Sequence, residues 1–206
     1  MADVALAFLW HQHQPYYPDD VTGENPMPWV RLHGVKDYYG MALHLDEFPT
    51  MRCTINLVPS LVLQLLQYTE QGRGDRFLDV SRVPAGDLSE ADALFLLDHF
   101  FMANPEQMIR PLPRYWELWQ RRAPGRNSAR EALRRFSERD LRDLQVLFNL
   151  AWVHPLALER DEALACAPRA GTSPRPTRTC CWPGTSSCCG KLSRCTAAWP
   201  SAARSS

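Results

Sequence analysis

Two histidines, His11 and His13, are the residues of this 206-residue chain best suited to chemistry. They follow the apolar run from Val4 to Trp10, which is typical of a buried strand. Side chains two residues apart on extended backbone project to the same side, so we expect both imidazoles together at the strand end. Imidazoles can hydrogen-bond a substrate, bind a metal ion or exchange protons. Gln14 adds an amide that both donates and accepts, and Pro15 fixes the turn.

Further polar and aromatic residues are expected near this strand end. Met51 to Leu57 is predicted to be a second buried strand with Asn56 at its carboxyl end. Active sites of parallel α/β folds are built at the carboxyl ends of strands, so Asn56 should lie near the histidines. An amide that ties the strand to the next loop is a simpler role for it. Trp29, Arg31 and His33 are expected to border the cleft, although packing is an equally good role for Trp29.

The elements that must position these residues alternate along the chain. We expect a Pro- and Gly-rich loop over 11–34 and helices over 35–48 and 59–71, the second beginning at Pro59. The order strand, helix, strand, helix predicts an α/β fold with a parallel sheet and right-handed crossovers. These elements form the first part of a domain that spans residues 1–165.

From about residue 88 to 153 the pattern is nearly all helical. Helices are predicted over 88–102, 115–122, 129–136 and 137–152. Ser137 is a suitable N-cap for the last of these helices, with Asp140 three residues later. The segment is too long for one crossover of a barrel, so we interpret 88–153 as a helical insertion.

The composition is that of an ordinary globular protein, with 45% hydrophobic and 22% charged residues and a formal net charge of zero. Before the tail, acidic residues balance the basic ones, which argues against nucleic-acid binding. No targeting or membrane-spanning segment is evident, so a soluble, cytoplasmic location is expected. No cofactor and no metal are expected, and the oligomeric state is left open.

The last 41 residues, 166–206, form a tail of foreign composition. Six of the seven cysteines lie there, and no Asp or Glu follows Glu162. The adjacent pairs Cys180-Cys181 and Cys188-Cys189 lack the spacing and the histidines of a zinc site. Shifting the codons of Cys180 to Pro200 by one base gives Leu-Leu-Ala at the start, apolar residues around Cys188 and Ala at the end, a composition typical of an amphipathic helix. We therefore hypothesise a frameshift near residues 164–170 and an irregular or disordered tail.

Several segments resemble a known family. His13-Gln14-Pro15 after an apolar strand, and the segment Asn-Leu-Val-Pro-Ser-Leu-Val-Leu-Gln from Asn56 to Gln64, are similar to the amino-terminal portion of glycoside hydrolase family 57. Arg114-Tyr115-Trp116 and Asn149-Leu150-Ala151-Trp152 add to the similarity, which covers roughly residues 3–165. The resemblance implies a partial (β/α)7-type parallel barrel that acts on α-glucans or oligosaccharides by retaining hydrolysis or transfer. It also implies sugar binding by His11 and His13, and less directly by Gln14.

The chain departs from the family where the reaction occurs. Retaining hydrolysis requires two carboxyl groups about 5 to 5.5 Å apart. In the family they stand on later barrel strands, beyond the last carboxylate of this chain, Glu162. Asp19, Asp20, Glu24 and Asp46 match no catalytic position. We therefore expect an inactive amino-terminal fragment that carries substrate-binding residues and no catalytic residue.

Two other interpretations remain open. Metal hydrolases of the amidohydrolase type also end their first barrel strand in His-x-His, and there the histidines bind the metal. That would require further ligands on later strands. A non-catalytic helical binding module is the second alternative, because the predicted insertion contains Trp116, Trp119, Phe100, Phe101 and Phe148.

Overall fold

A computed structural model describes residues 4–160. Within them the chain divides into two compact units, 4–76 and 77–160, which are called the strand unit and the helical unit. The tail predicted at 166–206 and the proposed frameshift lie outside the described residues.

The strand unit holds two parallel strands, β1 (Leu9–Gln12) and β2 (Thr54–Leu57). His11 is in register with Asn56, and Gln12 with Leu57. The predicted parallel pairing is therefore confirmed, but within residues 4–160 the sheet has two strands and no barrel is shown. The helices of this unit are α1 (Trp29–His33), a π-helical turn (Gly34–Tyr38), α2 (Tyr39–Glu47) and α3 (Pro59–Thr69).

Both strands are shorter than predicted, and the prediction that they are buried is wrong. Val4 is 90% exposed and precedes the strand, and all four residues of β2 are exposed. Parallel strands are normally covered on both faces by helices. A pair with no further strand beside it among the described residues leaves its apolar side chains in solvent.

The first helical segment begins at Trp29 rather than at Val35, so the predicted loop ends six residues early. Gly34 is the last residue of the predicted loop, yet in the structure it lies inside the helical run. A Cβ at this position would meet Cδ2 of Leu65 in α3 at 3.3 Å. Gly34 therefore permits close packing between helices, and the π-helical turn inserts an extra residue at the same place.

The helical unit confirms the predicted all-helical segment, with somewhat different bounds. Ser137 caps α8 (Glu138–Ala151) as predicted: its hydroxyl accepts from the Asp140 N–H, and the Asp140 side chain accepts from the Ser137 N–H. Four elements were not predicted: the helices Arg76–Arg82 and Pro155–Arg160, a 3-10 turn at Ala85–Asp87 and a π-helical turn at Pro105–Ile109. The helices are α4 (Arg76–Arg82), α5 (Glu90–His99), α6 (Pro113–Arg122), α7 (Ala129–Leu133), α8 (Glu138–Ala151) and α9 (Pro155–Arg160).

Aromatic rings form the centre of the helical unit. Phe100 and Phe148 are fully buried, with ring centroids 4.5 Å apart, and Phe77 stacks on Phe100 at 5.6 Å. Tyr115 is also fully buried and donates its hydroxyl to the Phe100 carbonyl. Burial raises the pKa of Tyr115, so the phenol stays protonated. In the part of the chain that the structure describes, no helix has the length and apolar character to span a membrane.

Candidate functional site

The end of β1 presents two imidazoles on one side. The rings of His11 and His13 stack with centroids 5.8 Å apart and planes 14° apart, and both residues are exposed. Gln12 and Gln14 alternate with them and are buried. This alternation is the two-residue period of extended backbone. The two histidines therefore form one exposed surface that can donate and accept hydrogen bonds.

Asn56 lies beside this pair. It is the register partner of His11 across the parallel strands, and it is exposed. Register partners in neighbouring strands project to the same face of a sheet, so the Asn56 amide shares the exposed face of His11. Imidazoles and an amide together provide donors and acceptors suited to hydroxyl groups.

Gln14 is held by the protein itself. Its Nε2 donates to Oη of Tyr38 at 3.0 Å, and its Oε1 accepts from Oη of Tyr17 at 2.8 Å. Burial raises the pKa of Tyr17 and of Tyr38, which keeps both phenols protonated as donors. Tyr38 in turn donates to the His13 carbonyl at 2.9 Å. The Gln14 amide is thus engaged at both ends inside the protein.

The backbone after His13 is fastened by α3. Ser60 Oγ donates to the Gln14 carbonyl at 2.8 Å. Gln64 Nε2 donates to the Pro15 carbonyl at 2.7 Å, and Gln64 Oε1 accepts from the Tyr17 N–H at 3.1 Å. The turn that was attributed to Pro15 alone therefore depends on side chains from a helix about fifty residues away in sequence.

Trp29 is linked to the site by successive aromatic ring contacts through His33 and Tyr38. Its centroid lies 6.0 Å from the ring of His33, which lies 6.5 Å from that of Tyr38. His33 Nδ1 is 2.5 Å from Oδ2 of Asp37, and this hydrogen bond lowers the pKa of Asp37. Trp29 and His33 are half-buried, and Tyr38 links them to the His13 carbonyl.

Arg31 has a different role from the one its sequence position suggested. It is buried and pairs with the fully buried carboxylate of Asp75, with Nε 2.8 Å from Oδ2. Tyr68 Oη also donates to Asp75, at 3.0 Å, and Asn25 Nδ2 donates to Tyr68 Oη, at 3.0 Å. This network ties the end of the first loop to the segment after α3. Arg31 therefore supports the fold and does not border an open cleft.

Sequence reasoning missed four residues that hold the strand end: Tyr17, Tyr38, Ser60 and Gln64. A signal existed for two of them, because Ser60 and Gln64 stand four residues apart on one face of α3, inside the segment that carried the family resemblance. Tyr38 gave no such signal, since its direction depends on the π-helical turn.

The four carboxylates that match no catalytic position of the family lie at the surface. Asp19, Asp20, Glu24 and Asp46 are all exposed, and Asp19 accepts hydrogen bonds from its own turn. Across residues 4–160, no group of three or more His, Cys, Asp or Glu side chains is arranged to hold a metal ion. The metal-hydrolase interpretation requires such a donor set in addition to the two histidines.

Comparison with known proteins supplies the family. The model of glycosyl hydrolase family 57 matches residues 7–162. No curated protein and no solved structure matched the chain. The matched segment contains β1, β2 and every residue of the site described above. Since it covers well over half of the 206 residues, the chain belongs to glycosyl hydrolase family 57.

Proposed function

We propose that the strand unit binds an α-glucan through His11, His13 and Asn56. The observation that carries this proposal is the stacked, exposed histidine pair in register with an exposed amide, inside the segment that matches a glycosidase family. Sugar hydroxyls both donate and accept hydrogen bonds, as do imidazole and amide groups. Trp29 is proposed as an aromatic border of the same site, supported by its ring contact with His33.

Gln14 enters the proposal with an altered role. It was predicted to bind substrate, but both ends of its amide bond tyrosine hydroxyls and the residue is buried. We propose that Gln14 supports the histidine pair from the buried side of the strand end, through its hydrogen bonds to Tyr38 and Tyr17. The sugar then meets the imidazoles on the exposed side of the strand.

For the enzyme to which the family-matching segment 7–162 corresponds, the proposed reaction is retaining hydrolysis or transfer of α-glucosyl groups. That chemistry requires a nucleophilic carboxylate and an acid/base carboxyl group. The chain has no Asp or Glu after Glu162, where the resemblance expects both groups. We therefore propose that these 206 residues bind glucan without cleaving it. We further propose that they do so in the cytoplasm and without a cofactor.

The test is the affinity of the chain for maltoheptaose, measured by isothermal titration calorimetry. Changing His13 to Ala, or His11 to Ala, should weaken binding about 10-fold, since losing one net hydrogen bond corresponds to roughly 1.4 kcal/mol. His44→Ala is the matched control, because His44 is an exposed histidine on α2. Its affinity should equal that of the unchanged chain.

Two results would refute the proposal. One is an unchanged chain that fails to bind maltoheptaose. The other is an equal loss of affinity in His44→Ala and His13→Ala. Release of reducing ends from the oligosaccharide by the purified chain would refute the proposed lack of cleavage while leaving the binding site in place.

A further inference from the structure

Directly after β1, side chains replace the backbone of β2 as hydrogen-bond partners of the chain. The Gln12 carbonyl still accepts from the Val58 N–H at 3.1 Å, as in a ladder. Among the described residues, the next five, 13–17, make no backbone-to-backbone hydrogen bond. Backbone groups near a folded core need partners, and an unpaired one costs free energy. In this segment the carbonyls of His13, Gln14 and Pro15 and the N–H of Tyr17 bond side chains of the π-helical turn and of α3.

Gln64 supplies the pattern that a neighbouring parallel strand would supply. Its amide donates to the carbonyl of Pro15 and accepts from the N–H of Tyr17, two residues further on. In a parallel sheet, one residue likewise uses its own N–H and C=O to bond a carbonyl and an N–H two residues apart on its neighbour. A primary amide has the same donor and acceptor as a peptide, so Gln64 acts as a one-residue strand.

The environment of Gln64 fixes its amide in this orientation. The residue is fully buried, and its Nε2 also donates to the Ser60 carbonyl one turn earlier in α3, at 2.9 Å. Both amide hydrogens and the amide oxygen are therefore occupied. A buried amide with every group satisfied specifies a single arrangement, because any other leaves a polar group without a partner.

We propose that Gln64 and Tyr38 are positioning residues for the histidine pair, an inference that rests on the proposed glucan site. Tyr38 holds the carbonyl of His13, and Gln64 holds the chain two to four residues later. Together they set the direction in which the backbone leaves β1, and hence the stacking of the His13 ring on His11. Neither residue contacts the sugar.

The test uses the full chain and two nuclear magnetic resonance measurements: hydrogen exchange of the Tyr17 amide, and the nuclear Overhauser effect between the rings of His11 and His13. Gln64→Leu keeps the volume and removes the amide. We expect Tyr17 exchange to rise about 10-fold or more, because roughly 1.4 kcal/mol of protection is lost. We also expect a weaker ring-to-ring signal.

Matched controls come from neighbouring residues of the same type. Gln67 is buried in the same helix, and its side chain makes no hydrogen bond to residues 13–17 in the described structure, so Gln67→Leu should leave both signals unchanged. Tyr38→Phe removes one hydroxyl and should weaken the ring-to-ring signal. Tyr39→Phe should not.

Unchanged Tyr17 exchange and histidine signals in Gln64→Leu would overturn the inference, as would equal changes in Gln67→Leu. If circular dichroism shows that Gln64→Leu is unfolded, Tyr38→Phe decides, and an unaltered ring-to-ring signal in that variant overturns the inference. Neither measurement needs a sugar. Failure of the unchanged chain to bind maltoheptaose would therefore refute the proposed function separately from the positioning.

Discussion

The strand unit and the helical unit differ in how far their apolar side chains are exposed to solvent. Among residues 4–160, every large hydrophobic residue that is exposed belongs to the strand unit, and the helical unit exposes none. The exposed set is Val4, Leu6, Phe8, Leu9, Tyr16, Val21, Met27, Phe48, Met51, Ile55, Leu57, Leu63 and Leu66.

This difference follows from the elements in each unit. The helices of the helical unit enclose one aromatic core, around Phe100 and Phe148. The strand unit contains a two-stranded parallel pair, an arrangement that needs cover on both faces and is marginal without it. The proposed sugar-binding residues thus lie in the less covered unit, where buried polar contacts rather than apolar packing hold the strand end.

The largest contrast is expected from truncating one apolar residue in each unit. Phe148→Ala should destabilise the helical unit by about 4 kcal/mol, because it leaves a cavity in a sealed core. Leu9→Ala, at a residue that is 65% exposed in β1, should change stability by less than about 0.5 kcal/mol. Urea denaturation followed by circular dichroism measures both. A cost for Leu9→Ala that matches that of Phe148→Ala would mean that the strand unit is covered in solution.

A second contrast concerns what stabilises the strand unit in place of apolar packing. Asp75→Asn leaves the buried guanidinium of Arg31 without its counter-charge and should cost about 3 kcal/mol. The exposed pair between Arg110 and Glu106 is the control, and Glu106→Gln should cost less than about 1 kcal/mol. Urea denaturation curves for the two variants provide the comparison. Equal losses in the free energy of unfolding would show that the buried Arg31 pair stabilises the protein no more than an exposed pair does.

The smallest effect is an acid sensitivity of the helical unit. Burial alone would raise the pKa of Asp140, but hydrogen bonds from Ser137 and the guanidinium groups of Arg114 and Arg121 lower it to about 2. The folded-state pKa therefore lies below the ordinary value near 3.9, so this contribution is complete above about pH 5 and disappears as the pH falls towards 2.

Asp140→Asn should accordingly lower stability by about 2 kcal/mol at neutral pH and by little near pH 2. Circular dichroism at a series of pH values measures the difference from the unchanged chain. Asp87→Asn, at an exposed carboxylate, is the control for removing one charge and should cost less than about 0.5 kcal/mol at neutral pH. A penalty for Asp140→Asn that stays constant down to pH 2 would contradict the lowered pKa.

Local signals in the sequence predicted much of the fold. Pro59 marks the start of α3, and Ser137 with Asp140 marks the start of α8, because capping and proline effects operate within one turn of a helix. The two-residue period of extended backbone correctly predicted that His11 and His13 project to the same side at the end of β1.

Features that depend on distant residues were not predictable in this way. An apolar run indicates that a strand prefers burial, but it does not say whether other elements will cover it, as Val4 and Leu57 show. Gly34 can break a helix or admit a neighbouring one, and only the position of Leu65 distinguishes these roles. The pairing of Arg31 with Asp75 likewise spans 44 residues of sequence.

The most direct test of the sugar site is a titration of the unchanged chain with maltoheptaose, followed through the imidazole resonances of its six histidines. We expect the signals of His11 and His13 to shift together and saturate at one dissociation constant, while those of His44 and His154 stay fixed. Unmoved signals for His11 and His13 at saturating sugar, or equal shifts for all of the histidines, would contradict a glucan site at the end of β1.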